Sequence, residues 1–403
     1  MTSDGATLVL TADEIEAQRA ITPGTAHVTH LNHAGSSLPP QSVLDTQVRH
    51  LELEATIGGY EAAASAAEAE GAVYASIASL LGAKPTEIAR AEHASIAWCQ
   101  GFWSLPMEQG QRILTVEAEY GANAVSYLRA KERYGIEIEV IPSDASGQVD
   151  LDALDSALGQ DVALVAITHV PTNGGLINPA AEVGALTRKA GVPFLLDACQ
   201  SAGQMALDVH ELGCDMLSVT GRKYLRGPRG SGFLYVSEEI LPRLNTDHPD
   251  HFSALWVEPD RYELQPDARR FEYWEFNHAA WLGLGTAVDH ALAVGVDRIE
   301  ATVQRRAEEL REALREHGFE PRDLGERRSG IVTTTCDRVD PFAVKKALGA
   351  KRINISVAGP EATLWDSVRR DLPPLLRLSV HYLTTREEID SAIDALVAVR
   401  ASA

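Results

Sequence analysis

Between residues 112 and 236 the chain alternates short, nearly continuous apolar runs with longer stretches in which apolar residues recur at helical spacing. Arg112–Val116, Glu137–Ile141, 163–168, 193–197, 216–219 and Gly232–Val236 predict strands, and 123–134, 151–158 and 181–190 predict helices. Strands without an alternating polar face, separated by helices, fit a mostly parallel sheet covered on both sides, so the pattern predicts an α/β domain. Upstream, helical spacing over 41–54 and 71–81 is interrupted by Ile57-Gly58-Gly59-Tyr60-Glu61, read as a helix stop and turn. Downstream come an Ala-rich apolar helix at 279–294, a charged helix at 297–317, strands near Ile331, Ile353 and Leu376, and a closing helix from Arg386. The expected organisation is an arm at 1–30, a large domain at 31–278, and a linking helix with a smaller α+β domain at 279–403.

Length agrees with this division, because 403 residues exceed the roughly 250–300 over which one core keeps growing. The formal charge of -21, from 57 acidic and 36 basic residues, repels nucleic-acid phosphates and anionic lipid surfaces, so neither is an expected partner. The start, Met1-Thr-Ser-Asp-Gly, is acidic where a secretory signal is basic, and no apolar run approaches the roughly 20 residues of a membrane span. The expected location is cytoplasmic. Cys99, Cys199, Cys214 and Cys336 are scattered without paired spacing, so neither a disulfide framework nor a zinc site is expected. His27, His30 and His33 lie three apart, a spacing that drifts around a helix, and no carboxylate or thiol completes a set; no metal is expected.

Against this acidic background, Ser218-Val219-Thr220-Gly221-Arg222-Lys223-Tyr224-Leu225-Arg226-Gly227-Pro228-Arg229-Gly230-Ser231-Gly232 stands out between two predicted strands. It reads as a flexible basic surface hairpin, or as a site for a phosphate-bearing aldehyde. The second needs an amine to condense with, donors for the phosphate, and glycine backbone that permits close approach. A Walker phosphate loop is excluded, since Lys223 is followed by Tyr224 and the glycine spacing is wrong. Phe194-Leu195-Leu196-Asp197-Ala198-Cys199-Gln200 is a buried strand ending in a carboxylate. Alone, Asp197 is a helix cap; upstream of a phosphate-site lysine, it is also suited to keep the ring nitrogen of pyridoxal 5′-phosphate (PLP) protonated.

With these motifs, from Leu31-Asn32-His33-Ala34-Gly35 to Leu376-Arg377-Leu378-Ser379-Val380-His381-Tyr382, the chain resembles the class V aminotransferase group of fold-type I PLP enzymes. That group contains cysteine desulfurases, isopenicillin N epimerases and C–S lyases. The resemblance implies a homodimer with Lys223 covalently bound to PLP and Asp197 on its ring nitrogen. It places Gln200 and Thr172 near the phenolic oxygen and Tyr120 on the ring, where desulfurases usually carry histidine. It gives the phosphate to Ser95, the Ile96 backbone, Thr220 and Arg222, and the substrate carboxylate to Arg377. It sets Asn32, His33 and Tyr60 beside the substrate.

Two departures narrow the reaction. Desulfurases carry a nucleophilic thiol in the small domain, and Arg352-Ile353-Asn354-Ile355-Ser356-Val357-Ala358-Gly359 contains none. Many relatives also have a Gly-Thr pair reaching the partner's phosphate, where this chain has Arg270-Phe271-Glu272-Tyr273-Trp274-Glu275-Phe276-Asn277. The stretch Glu54-Ala55-Thr56-Ile57-Gly58-Gly59-Tyr60-Glu61-Ala62 and the run from Arg222 to Gly230 are most similar to the C–S lyases of ergothioneine biosynthesis. The expected activity is β-elimination from a cysteine S-conjugate or its sulfoxide in secondary metabolism. Epimerisation, decarboxylation-deamination or transamination stays open, as does a PLP-fold protein that only binds.

Overall fold

The computed structural model describes residues 8–336 and 338–402. Its centre is a seven-stranded sheet: β1 Ile88–Ala91, β2 Arg112–Val116, β3 Glu137–Ile141, β4 Val162–Thr168, β5 Phe194–Asp197, β6 Met216–Thr220 and β7 Gly232–Val236. The order is β1-β7-β6-β5-β4-β2-β3, and β7 alone runs against its neighbours. All residues of β5, β6 and β7 are buried, which is why they read as continuous apolar runs. The register sets Thr168 beside Asp197 and Asp197 beside Ser218, so the carboxyl ends of β4, β5 and β6 finish at one level. In an open α/β sheet this is where ligands bind.

Predicted and observed strands agree to within a residue at either end. Helices occur at Gly121–Tyr134, Leu151–Ala157 and Ala180–Ala190. The predicted stop at 57–61 is much smaller than expected. Only Gly58, at φ 102°, leaves the helical conformation, and Gln41–Ile57 is followed at once by Gly59–Leu81. Residues 59–70 are rich in alanine and glutamate, strong helix formers that carry no apolar stripe. Both helices pack against His278–Val294. Sequence patterning also missed β1, the helix Ala94–Trp103, and an exposed hairpin of Ala254–Glu258 with Arg261–Leu264.

Beyond Val296–Glu316 lies a three-stranded antiparallel sheet with Leu375–Ser379 between Ile331–Thr334 and Ser356–Ala358. The segment expected as an arm is built into this part of the molecule. Thr11 and Glu14 form a capping box at the start of Ala12–Ala20; Arg19 pairs with Glu388 at 2.9 Å, and Thr29–His30 adds a parallel strand to Ile353–Asn354. Among the described residues no single helix is long and apolar enough to cross a membrane.

One fully buried ion pair fixes the last third of the chain. Arg311 Nε donates to Asp323 Oδ2 at 2.8 Å, and its Nη2 donates to the Ser329 carbonyl at 3.0 Å. Asp323→Ala strands a buried guanidinium, and the expected loss is about 3–5 kcal/mol, read as a lowered midpoint in chemical unfolding.

Candidate active site

The carboxyl ends of β4, β5 and β6 open into a cavity of about 240 Å³, lined by Asp197, Thr220, Arg222, Lys223, Tyr120 and Thr172 among others. Its far wall is the start of Ala94–Trp103, where Ala94 and Ser95 face the cavity with first-turn N–H groups that have no partner within a helix.

Lys223 sits on the loop joining β6 to β7, which closes on itself through Gly221 N to Ser231 O at 2.9 Å and Gly227 N to Gly221 O at 2.8 Å. Arg226 holds a left-handed φ of 61° and is buried, a strained backbone for a non-glycine residue. Its guanidinium explains how the strain persists: Nε donates to the Leu38 carbonyl at 2.9 Å, and the other nitrogens donate to Tyr382 and Thr22. Gly203, at φ 89°, packs directly under this loop; a Cβ there would lie 2.5 Å from Leu225 N. Burial lowers the pKa of Lys223, with Asp197 and Cys199 opposing and Arg222 and Arg377 assisting. The shift favours the neutral, nucleophilic amine.

Asp197 is buried and accepts from Cys199 N at 2.9 Å and from Asn123 Nδ2 at 3.0 Å. Asn123 Nδ2 also donates to Glu119 at 2.9 Å. Glu119, in the loop after β2, accepts from Tyr120 N at 2.7 Å, Thr115 Oγ1 at 2.9 Å, Tyr127 OH at 3.2 Å, and the hydroxyl of Thr168. Burial pushes its pKa up to about 7, and the charge of Asp197 adds to the rise. Neither Glu119 nor Asn123 was anticipated, although both flank Tyr120 in the sequence.

The remaining expected residues divide. Gln200 is buried, donates to the Ala34 carbonyl at 3.1 Å, and leaves Oε1 without a partner. Ser95 and Thr220 line the cavity. Arg222 also lines it while donating to the Gly35 carbonyl. Arg377 lies just behind Thr172 and donates to its hydroxyl and, at 3.3 Å, its carbonyl; Nε is buried and unpartnered. Four other expected residues lie off this cavity within one chain. The Ile96 N–H is committed to the His93 carbonyl at 3.0 Å, and the residue lines a different pocket, with Cys99 and Trp103. His33 turns into a buried cluster with His30 and His381 and bonds Ser37 Oγ at 3.0 Å. Asn32 bridges to Ser379, and neither it nor His33 lines the cavity. Tyr60 starts the helix Gly59–Leu81, is 77% exposed, and lines a separate cleft with Glu54 and Glu275.

These residues fit PLP. An amine suited to condensation, a carboxylate for the ring nitrogen, an orphaned amide oxygen and a helix start with hydroxyl and guanidinium neighbours surround one cavity. Residues 29–391 match the class-V aminotransferase family. The chain belongs to this family. As a member of the class-V aminotransferase family it is a PLP-dependent enzyme. It is 28% identical over 318 residues to a probable cysteine desulfurase of Methanothermobacter thermautotrophicus, covering 78% of this chain and 79% of the relative. It is 30% identical over 389 residues to a probable hercynylcysteine sulfoxide lyase of Mycobacterium tuberculosis, covering 95% and 93%. The apo cysteine desulfurase of Thermococcus onnurineus superposes with a TM-score of 0.89 at 24% identity, covering 96% of this chain and 98% of that one.

His50, Glu70 and His278 offer ligand atoms within 4.8 Å of one another. The imidazoles are stacked at 22° and each pairs with a carboxylate, His50 with Glu54 at 3.1 Å and His278 with Glu70 at 2.6 Å.

Proposed function

We propose that this enzyme cleaves the C–S bond of a cysteine S-conjugate or its sulfoxide by β-elimination, in small-molecule metabolism. The observation that carries the choice is the small-domain edge. Ser356 stands opposite Arg377 in the sheet, and 352–359 contains no thiol to attack substrate sulfur. Cys199 lines the cavity, but burial and the charge of Asp197 raise its thiol pKa well above the ordinary value. It is a poor thiolate source. The 95% coverage by a probable sulfoxide lyase supports the same reading.

PLP, held by Lys223, Asp197, Ser95, Thr220 and Arg222, supplies the sink for the electron pair left at the substrate α-carbon. Arg377 fixes the substrate carboxylate. With PLP bound, Lys223 Nζ would take the substrate α-proton, and the β-sulfur would leave with the electrons of the C–S bond. With water, the carbon fragment becomes pyruvate and ammonia. Product analysis with cysteine conjugates, their sulfoxides and ordinary amino acids is expected to yield pyruvate and a sulfur product from the first two groups. It is expected to be unaffected by Cys199→Ala. Inverted amino acid without pyruvate, or strict dependence on one cysteine, overturns the proposal.

The same reading includes a homodimer. Leu44, Val48 and Leu51 form an exposed apolar stripe on Gln41–Ile57, and Leu255, Trp256 and Trp274 are also exposed. A second copy of the chain is the occupant that fold-type I enzymes place against such surfaces.

A further inference from the structure

We infer that Glu119 is a positioning residue for the cofactor, acting through Asn123 on Asp197 as the outer member of a three-residue relay. The inference rests on the assignment of Asp197 to the PLP ring nitrogen. Asn123 Nδ2 has two hydrogens, and the structure uses one on Glu119 at 2.9 Å and the other on Asp197 at 3.0 Å. An amide can present either its NH₂ or its oxygen to a neighbour. Glu119, an acceptor, selects the NH₂ and so makes Asn123 a donor to Asp197. The two acceptor oxygens are thereby held no more than about 6 Å apart in a dry interior.

Glu119 is itself over-determined. Thr115 from β2, Thr168 from β4, and Tyr120 and Tyr127 from the flanking helix all donate to it. The hydrogen bonds favour the ionised form and oppose the effect of burial without cancelling it. Solvation alone would never place it here. Its rise to about 7, driven first by burial, puts its titration within the working range. The titratable groups facing it are Asp197 from β5 and Tyr127 from the helix Gly121–Tyr134; Tyr120, Cys199, Lys223 and Arg222 lie on the cavity side. The ionised form reinforces Asp197 and raises the proton affinity of whatever base Asp197 holds.

The test reads the ring nitrogen directly in holoenzyme carrying isotope-labelled PLP, by its NMR shift across pH. Glu119→Gln keeps the shape and removes the charge. It is expected to lower the proton affinity of the ring nitrogen about tenfold, one pH unit, as removal of a charge at this range in a low-dielectric site predicts. Asn123→Ser removes the bridge that orients Asp197, and by freeing the carboxylate to turn from the ring nitrogen it is expected to shift the titration downward with Glu119 intact. Should Glu119→Gln fail to fold, Asn123→Ser alone decides: a downward shift supports the relay and an unmoved titration overturns it. Asp197→Asn separates the layers. If it too leaves the nitrogen unmoved, the assignment of Asp197 fails and takes the relay with it; if it moves the signal while both outer variants do not, only the relay falls.

Discussion

Replacing Lys223 by alanine is expected to abolish covalent attachment of PLP and to lower turnover by at least the two to four decades that a positioned acid–base group ordinarily supplies. Lys131 and Lys189 lie exposed on helices away from the cavity, so no neighbouring amine takes its place. The loop is held by Gly221, Gly227 and Arg226, whose bonds do not involve the lysine side chain. The variant should fold and bind PLP noncovalently. Borohydride reduction and peptide mapping check this: label on Lys223 in the parent and on no lysine in the variant is the expected pair of results. A label on another lysine would remove the assignment.

The second large effect belongs to Arg377. Its guanidinium is buried, no carboxylate among the described residues pairs with it, and Nε has no partner. Burial pulls its pKa below the ordinary value, and an arriving α-carboxylate supplies the missing countercharge. A planar fork fixes both the place and the tilt of that carboxylate, which sets the scissile bond against the cofactor ring. Arg377→Ala is expected to cost about 2–5 kcal/mol in transition-state binding, roughly one and a half to four decades in kcat/KM. Lysine at this position should restore only part, keeping charge without the fork. Because the residues around the PLP ring and phosphate are others, the alanine variant should retain the cofactor spectrum. Turnover at the parent rate, or loss of PLP, would show that the carboxylate site lies elsewhere.

The sheet and the placing of Asp197 and Lys223 in one cavity were legible for one physical reason. Strands buried on both faces are written as apolar runs, and the cavity opens where those runs stop, at Asp197 and after Thr220. The polar helix Ala12–Ala20 went unread, because periodicity alone passes over it, although Thr11 and Glu14 form a capping box at its start. Side-chain direction was not. His33, Asn32 and Tyr60 share segments with residues near the site, yet His33 is turned by ring contacts with His30 and His381, and Tyr60 by the restart of the helix at Gly59. Glu119 was not recognised, because its importance lies in five donors that come together only when β2, β4 and the intervening helix pack.

The pinning of the cofactor loop by both ends of the chain has a consequence for how the molecule is made. Arg226 and the Leu38 carbonyl are 188 residues apart, and Ala34 N and Ser379 Oγ are 345 apart. Contacts over such separations carry the largest loop-closure cost and form after local helices and neighbouring strands. A chain emerging from the ribosome holds Asp197 and Lys223 well before Arg377 and Ser379 exist, so its pocket stays open at one side until those residues have been made. Recovery of cofactor absorbance after dilution from denaturant should then lag behind recovery of helix signal, and the lag measures the time the two termini take to meet.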